Sequence, residues 1–274
     1  MINQQLSPAV KAFDAMAPVF DARFGEWLSV DAQRDAVRRT LLAALPPRGR
    51  ILEIGGGTGE DAMWLAKRGF DITLTDGSPA MVARAQEKLS ILGSRAAVAP
   101  AEELEAFAER HFSLNGALFD GAFSNFAPLN CVEDLKPVGR GLAKLLRPGA
   151  PALLVLFGTV APGEMLVETL RGRPRQSLRR FRSGPVPARL GGQAFTVTYH
   201  RRAALRAAMQ PWFRLVKTVG IGIFVPPSAA EPWISRHGRL LRSLATLDRF
   251  SERVLARFAD HILYHFERTD VAAP

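Results

Sequence analysis

Ile51-Leu52-Glu53-Ile54-Gly55-Gly56-Gly57-Thr58-Gly59-Glu60 is the stretch that decides the fold of this chain. An apolar run ends in an acid, and four glycines follow within five residues. Asp61 to Arg68 then reads as a helix. Strand, glycine turn and helix in this order bring main chain close to a nucleotide-like ligand, because glycine has no Cβ to hold the ligand away. Dinucleotide-binding proteins share such a turn, so its surroundings have to separate the options.

Upstream, Phe13, Met16, Phe20 and Phe24 recur every three to four residues, and Val30 to Leu45 repeats an amphipathic pattern, so residues 9–45 are expected to be helical. Pro46-Pro47-Arg48-Gly49 breaks the run before a first strand, Arg50 to Ile54. Downstream, further strands are predicted at Phe70–Thr75, Ala96–Ala99, Leu118–Ser124 and Ala152–Phe157, with helices between them. Ser78-Pro79 opens one of these helices as cap and first residue. The apolar strand from Ala152 suits burial on both faces. Strands and helices alternating at this spacing imply right-handed βαβ units and a doubly wound, Rossmann-like parallel α/β sheet.

Beyond residue 158 the rhythm breaks. Residues 159–194 are rich in Arg, Gly and Pro and read as an insertion or lid, with a short extra strand at Phe195–Tyr199. A helix at Arg202–Met209 and strands at Arg214–Ile223 and His261–Glu267 follow. An apolar stripe of Leu240, Leu244, Leu247, Val254 and Phe258 predicts a helix packed against the domain. The expected organisation is one domain: a helical cap (1–47), a core (48–158), an Arg-rich lid (159–235), and a last helix and strand (236–274).

At 274 residues the chain is long enough for one large domain with an insertion. No apolar run approaches the ~20 residues of a membrane span, and Met1 to Val10 lacks the pattern of a secretory signal. The single cysteine, Cys131, excludes an internal disulfide and a cysteine-based zinc cluster and fits a reducing cytoplasm. It reads either as a thiol activated at a helix start or as a small buried filler. The net charge of +10 is unevenly spread. No acid lies between Glu168 and Glu231, where eleven arginines and Lys217 stand, so the remainder nets −2. That stretch is either a basic flap over an anionic ligand or ordinary solvated surface.

Three local features sharpen the glycine turn. The glycines run Gly55-x-Gly57-x-Gly59 rather than G-x-G-x-x-G. Glu53 precedes them at the end of its strand. Asp76 ends the second strand, 17 residues after Gly59, where a carboxylate is placed to accept from both hydroxyls of a ribose. With the blocks FDAMAPVFDARF, ILEIGGGTGEDAMWLAKRG, DITLTDGSPAMVARAQ, AVAPAEEL, FDGAFSNFAPLN and LLRPGAPALLVLFG, the chain resembles the class I S-adenosylmethionine (SAM)-dependent methyltransferases of small-molecule type. The resemblance spans about residues 10–158 and the strand near 261–267. It implies a seven-stranded sheet with an antiparallel last strand and SAM as cofactor. It assigns Glu53 and the Gly55, Gly56, Gly57, Gly59 turn to the amino acid end and ribose, Asp76 to the ribose diol, and Gly77 and Ser78 to the adenine flank. Pro100 stands where the family often has an adenine-binding acid, so either Glu102 or neighbouring backbone at Ala101 substitutes, or adenine is held mainly by packing and Glu102 is an acid favoured at a helix start. Asn125 and Phe126 are expected beside the methyl group.

Methyl transfer needs a general base only when the nucleophile is poorly ionised. His200, His237 and His111 are candidates, with His200 first; His261 and His265 are assigned to the last strand. No metal-binding spacing is present. The family builds its acceptor site from the N-terminal helices and from insertions after the fifth strand. Here those regions offer Phe13, Phe20, Phe24 and Trp27 on one side, and Arg179, Arg180, Arg182 and Trp233 on the other. An apolar wall with an arginine flap suits a small or medium amphipathic substrate with an anionic group. Alternatives are an RNA methyltransferase with the arginines as a phosphate track, a lipid-facing enzyme, and a SAM-binding protein with other chemistry.

Overall fold

Ile51, Leu52 and Ile54 are fully buried, which puts the first strand at the centre of the molecule. The computed structural model describes residues 6–114 and 116–274, so the expectation for the first residues lies partly outside them. Strands β1 (Arg50–Ile54), β2 (Asp71–Asp76), β3 (Arg95–Val98), β4 (Gly121–Ser124) and β5 (Pro151–Phe157) pair in parallel in the order β3-β2-β1-β4-β5. Strand β9 (His261–Arg268) then lies antiparallel between β5 and β8 (Phe213–Ile221), completing seven strands. The continuous apolar run of β5 alternates faces. Ala152, Leu154 and Leu156 join one core layer, and Leu153 and Val155 the other.

Helices cover both faces. Helices α3 (Leu28–Ala44), α4 (Glu60–Ala66) and α5 (Pro79–Ser90) bring Val37, Leu41, Leu65 and Leu89 to one layer. On the other, α6 (Leu104–Ser113), α7 (Lys136–Leu145) and α10 (Arg202–Met209) contribute Leu104, Phe107, Leu142 and Leu205. Before them come α1 (Pro8–Met16) and α2 (Phe20–Phe24), which lie at the sheet edge where the glycine turn emerges. The start of α3 has no side-chain cap of its own; Glu231 accepts from Ser29 N and Ser235 Oγ accepts from Leu28 N instead.

Two expectations change after residue 158. Helix α8 (Pro162–Leu170) and the single turn α9 (Pro174–Ser177) lead into a hairpin of β6 (Pro185–Leu190) and β7 (Gln193–Thr198) that stands apart from the main sheet. Strand β6 is hidden in the sequence by Pro185 and Pro187, which an exposed edge strand tolerates. The Gly191-Gly192 turn, with both φ positive, closes it. The hairpin packs on α1, with the rings of Phe195 and Phe13 5.9 Å apart. Second, α11 (Gly238–Ser251) packs by only part of its predicted stripe, through Leu244, which joins the cluster of Val225, Ile234 and Leu241. Leu241 and Asp248 are buried, whereas Leu240, Leu247 and Val254 are exposed. Asp248 sets this rotation by accepting from Phe224 N at 2.5 Å and Val225 N at 3.4 Å.

Gly158, at the end of β5, donates from its backbone N to Asp260 O at 2.8 Å. A Cβ there would meet Ala259 O at 2.0 Å. Gly158→Ala is therefore expected to cost roughly 1–3 kcal/mol. Urea denaturation measures it, and an unchanged midpoint would contradict the close packing of β5 against the start of β9.

Candidate functional site

The glycine turn owes its shape to main chain rather than side chains. Gly55, Gly57 and Gly59 take φ of 66°, 55° and 82°, a region that residues with a Cβ avoid. Gly55 N and Gly56 N donate to Thr75 O at 2.7 and 3.2 Å. Gly57 N donates to Asp76 Oδ2 at 2.9 Å, and Ser78 N to Asp76 Oδ1 at 2.8 Å. A Cβ on Gly57 would meet no atom within 4 Å, so bare main chain borders open space there. Burial pushes the Asp76 carboxyl above its ordinary range, although the Ser78 and Gly57 N–H groups pull it down. Glu53 is fully buried beneath the turn. Burial, and then the nearby Asp61 carboxylate, raise its carboxyl well above the usual range, and its Oε2 has no hydrogen-bond partner among the described residues.

Around this turn the structure gathers most of the predicted cofactor residues. Gly77 faces Val10 and Pro100. Ser78 caps α5 and donates to Asp14 Oδ1 at 2.7 Å. Ala101 is half-buried and Glu102 exposed on the short turn that follows β3. At the end of β4, Asn125 Nδ2 donates to Asp61 Oδ2 at 2.8 Å, and Asn125 Oδ1 accepts from Phe126 N at 2.8 Å. Phe126 and Ala127 both hold positive φ, 56° and 62°. Two consecutive non-glycine residues in this region store strain at the sheet edge that faces the glycine turn.

The predicted acceptor residues separate. Phe20 joins a chain of rings, Phe13–Phe20–Phe24–Trp27, with centroids 6.4, 4.8 and 5.1 Å apart. Arg180 is 5 % exposed, not on an open flap. It donates to Gly158 O at 3.0 Å and to Asp260 O at 2.7 Å, and it pairs with the Glu164 and Asp260 carboxylates. Arg179 is tied to Glu164 at 2.8 Å. The acids missing from the arginine-rich stretch thus come from α8 and from the residue before β9. Arg182 is exposed. Trp233 is 54 % exposed, with its ring tilted against His237 at 4.7 Å between centroids, outside this group. His200 is buried among Glu133, Asp134 and Lys136, with Nε2 2.8 Å from Val132 O. Burial lowers its pKa despite that backbone contact. Cys131 is a buried thiol, pushed up to about 12, and so not an activated one.

Sequence reasoning missed four acids and a histidine. Asp14 Oδ1 also accepts from Ala80 N at 2.9 Å, and Asp21 binds Thr58 Oγ1 and Lys88 Nζ. Their signal is a tripeptide repeated seven residues apart, Phe13-Asp14-Ala15 and Phe20-Asp21-Ala22. Asp61 pairs with Arg38 at 2.8 Å and Arg34 at 3.3 Å, and the Arg34 guanidinium lies 4.9 Å from the Phe126 ring centre. Asp260 Oδ2 lies 3.1 Å from His261 Nδ1 and 3.4 Å from Gln33 Nε2. Burial raises the Asp260 carboxyl, but Arg180 and His261 outweigh it and hold the group well below the usual range. The His261 ring sits 4.9 Å from Phe157 and 6.0 Å from Phe126, and Nε2 has no protein partner among the described residues. No local pattern marks it.

A ligand with an ammonium group, a diol and a flat apolar ring fits these residues. The orphaned Glu53 Oε2 is an acceptor for the first. Asp76 keeps lone pairs for the second, and the apolar side chains of Val10 and Pro100 beside Gly77 are surfaces for the third. The buried acids also set a pH dependence. Glu53 has a raised folded pKa, so the ligand-free fold holds this contribution below the unfolded carboxylate pKa and loses it as pH rises through the folded value. Denaturant titrations at a series of pH values are expected to show stability falling from the ordinary carboxylate range toward neutrality. The fall should shrink in Glu53→Gln, and an identical slope in both proteins would remove Glu53 as its source.

A family model described as a methyltransferase domain matches residues 51–149. Over 261 residues the chain is 28 % identical to the biotin biosynthesis bifunctional protein BioCD of Bordetella avium, covering 91 % of this chain and 50 % of that protein. The chain thus spans half the length of this curated relative. Among solved structures, a SAM-dependent methyltransferase from Mesorhizobium loti superposes with a TM-score of 0.53 at 18 % identity, covering 86 % and 98 % of the two chains. A methyltransferase chain from a Haloferax volcanii complex with the Trm112 activator gives 0.57 at 16 % identity, covering 94 % and 96 %. These two likenesses are of fold. Residues 51–149 thus match a methyltransferase domain, in a chain whose strand order is that of a SAM-dependent methyltransferase fold.

Proposed function

We propose that the chain transfers the methyl group of SAM to a small or medium amphipathic metabolite that carries an anionic group. When bound, SAM supplies a methyl group on a sulfonium, a carbon already activated for displacement. In this reading Glu53 and the Gly55–Gly59 turn hold the amino acid end, Asp76 the ribose diol, and Gly77, Ser78, Ala101 and Glu102 the adenine side. Arg34, with a single contact to Asp61 and its plane over Phe126, has donors to spare for the methionine carboxylate. Asn125 fixes the turn that presents Phe126 at the methyl end.

The observation that carries the acceptor reading is the setting of His261: the rings of Phe157 and Phe126 lie 4.9 and 6.0 Å from its own, and the Asp260 carboxylate lies 3.1 Å from its Nδ1. His261 takes the role of general base that the sequence assigned first to His200, whose ring is committed to backbone. Asp260 Oδ2 lies 3.1 Å from Nδ1 without meeting hydrogen-bond geometry, and Arg180 with Glu164 anchors Asp260; in this reading a small turn of the ring completes that bond, and Nε2 accepts a proton from the nucleophile. Arg180 and Arg179 therefore shape the wall, while Arg182 and its exposed neighbours at the mouth meet the anionic end of the substrate. The name of the Bordetella avium relative assigns that protein to biotin biosynthesis, which supports a metabolite as acceptor.

Tritium-methyl transfer from labelled SAM into fractionated metabolites and RNA of the source cell tests the reading. Label is expected in an acidic small-molecule fraction, and label confined to RNA would overturn it. Asp76→Ala should weaken SAM binding by roughly 1–3 kcal/mol in calorimetry, through loss of hydrogen bonds to a charged acceptor. Unchanged affinity would end the ribose assignment. With the acceptor in hand, His261→Ala is expected to lower kcat by about 10²–10⁴-fold and leave SAM affinity unchanged. A variant as fast as the parent would rule out the base.

A further inference from the structure

We propose that the solvent side of α11 is a docking surface for an anionic lipid bilayer. Leu240, Leu247, Phe250 and Val254 are 43, 49, 81 and 82 % exposed. Their spacings of seven, three and four residues place them on one side of a helix and its C-terminal extension. This side is unpacked by construction, because the opposite side is anchored. Leu241 is buried, and the Asp248 carboxylate holds the 224–225 backbone. The helix cannot roll its apolar stripe inward without breaking that contact.

The charges beside the stripe point to what covers it. Arg239, Arg242, Arg249, Arg253 and Arg257 are all exposed, and among the described residues none of them forms an ion pair. The only acid of α11, Asp248, is buried, and Glu252 in the C-terminal extension is a single half-buried carboxylate against these five arginines. At 3.6 residues per turn, Arg239 borders the stripe, with Arg242 and Arg249 further round. An apolar strip flanked by arginine is the layout of a helix lying in a membrane interface, where side chains such as Phe and Leu enter the acyl boundary and guanidinium groups meet phosphates. No described helix is long and apolar enough to cross a membrane, and this mode needs none. A second copy on this face would bring two sets of arginines together. A nucleic acid would leave Leu240, Leu247 and Val254 without partners, since only rings stack on bases. Charge and apolarity together therefore favour lipid.

The surface stands independently of the acceptor proposed above, yet it lies close to the cleft. Helix α11 packs on α3 through Leu241, Leu244 and Ala32, and the next two residues of α3, Gln33 and Arg34, reach Asp260 and Phe126. Docking by α11 would hold the cleft beside the bilayer.

Co-sedimentation of the full chain with vesicles of mixed phosphatidylglycerol and phosphatidylcholine, and with pure phosphatidylcholine vesicles, tests the proposal. Binding is expected for the anionic vesicles and should weaken at high salt. The double variant Phe250→Ser, Val254→Ser should lower partitioning by roughly tenfold or more, with circular dichroism and SAM binding unchanged. Arg239→Gln with Arg249→Gln should weaken binding to anionic vesicles as well. The proposal is overturned if the parent does not sediment with anionic vesicles, or if the Phe250, Val254 variant binds as the parent does. Sedimentation-equilibrium dimers that the same variant abolishes would assign the face to a second copy and overturn it equally.

Discussion

The Asp76 carboxylate joins two turns that have little else to hold them. Glycines let a ligand reach the main chain, but they bring no side chains to keep that main chain in place. Its N–H groups must find acceptors on the neighbouring strand. Thr75 O takes two of them, and Asp76 takes Gly57 N and the start of the next turn at Ser78. Everything above depends on this. Ser78 in turn donates to Asp14 of α1, and Thr58 donates to Asp21 of α2. The helical cap is therefore positioned by the same few polar atoms that shape the glycine turn.

Charge is organised by the same economy. Buried ion pairs contribute little net stability, because desolvation offsets most of their attraction. The Arg180–Glu164–Asp260 group is better understood as a positioning device. It carries the backbone at Gly158 and Asp260 and ends at a histidine whose outer nitrogen has no protein partner. On the other side of the cleft, Asp61 plays a comparable part. It collects Arg34, Arg38 and Asn125 while raising the neighbouring Glu53. The arginine-rich stretch read as a basic flap or a solvated surface because its counter-charges stand outside the acid-free run, at Glu164 before it and at Asp260 80 residues after Arg180.

What was legible in the chain follows from range. The sheet could be read because alternation of strand and helix is a local pattern, and β5 announces its burial by a run with no polar interruption. The glycine turn, Asp76 and Asn125 fall at strand ends, so their gathering at one edge follows once the strands are placed. Side-chain partners 20 or more residues away could not be read. Asp248 rotates α11 away from part of its own hydrophobic pattern by binding a loop 23 and 24 residues upstream. Strand β6 was masked by prolines, and His261 by its place in an ordinary-looking strand. Asp14 and Asp21 lay within reach, since their tripeptide repeats, but only the folded cap shows why.

The hairpin of β6 and β7 rests on α1, and α1 rests on the turn that carries Ser78. This roof is pinned to the floor by short polar side chains, Asp14 at one end and Asp21 at the other, together with one edge-on ring contact to Phe195. The two aspartates thus join the helical cap and its hairpin to the glycine turn and to the start of α5, so cap and turn hold their relative placement through two carboxylates rather than through a broad apolar seam.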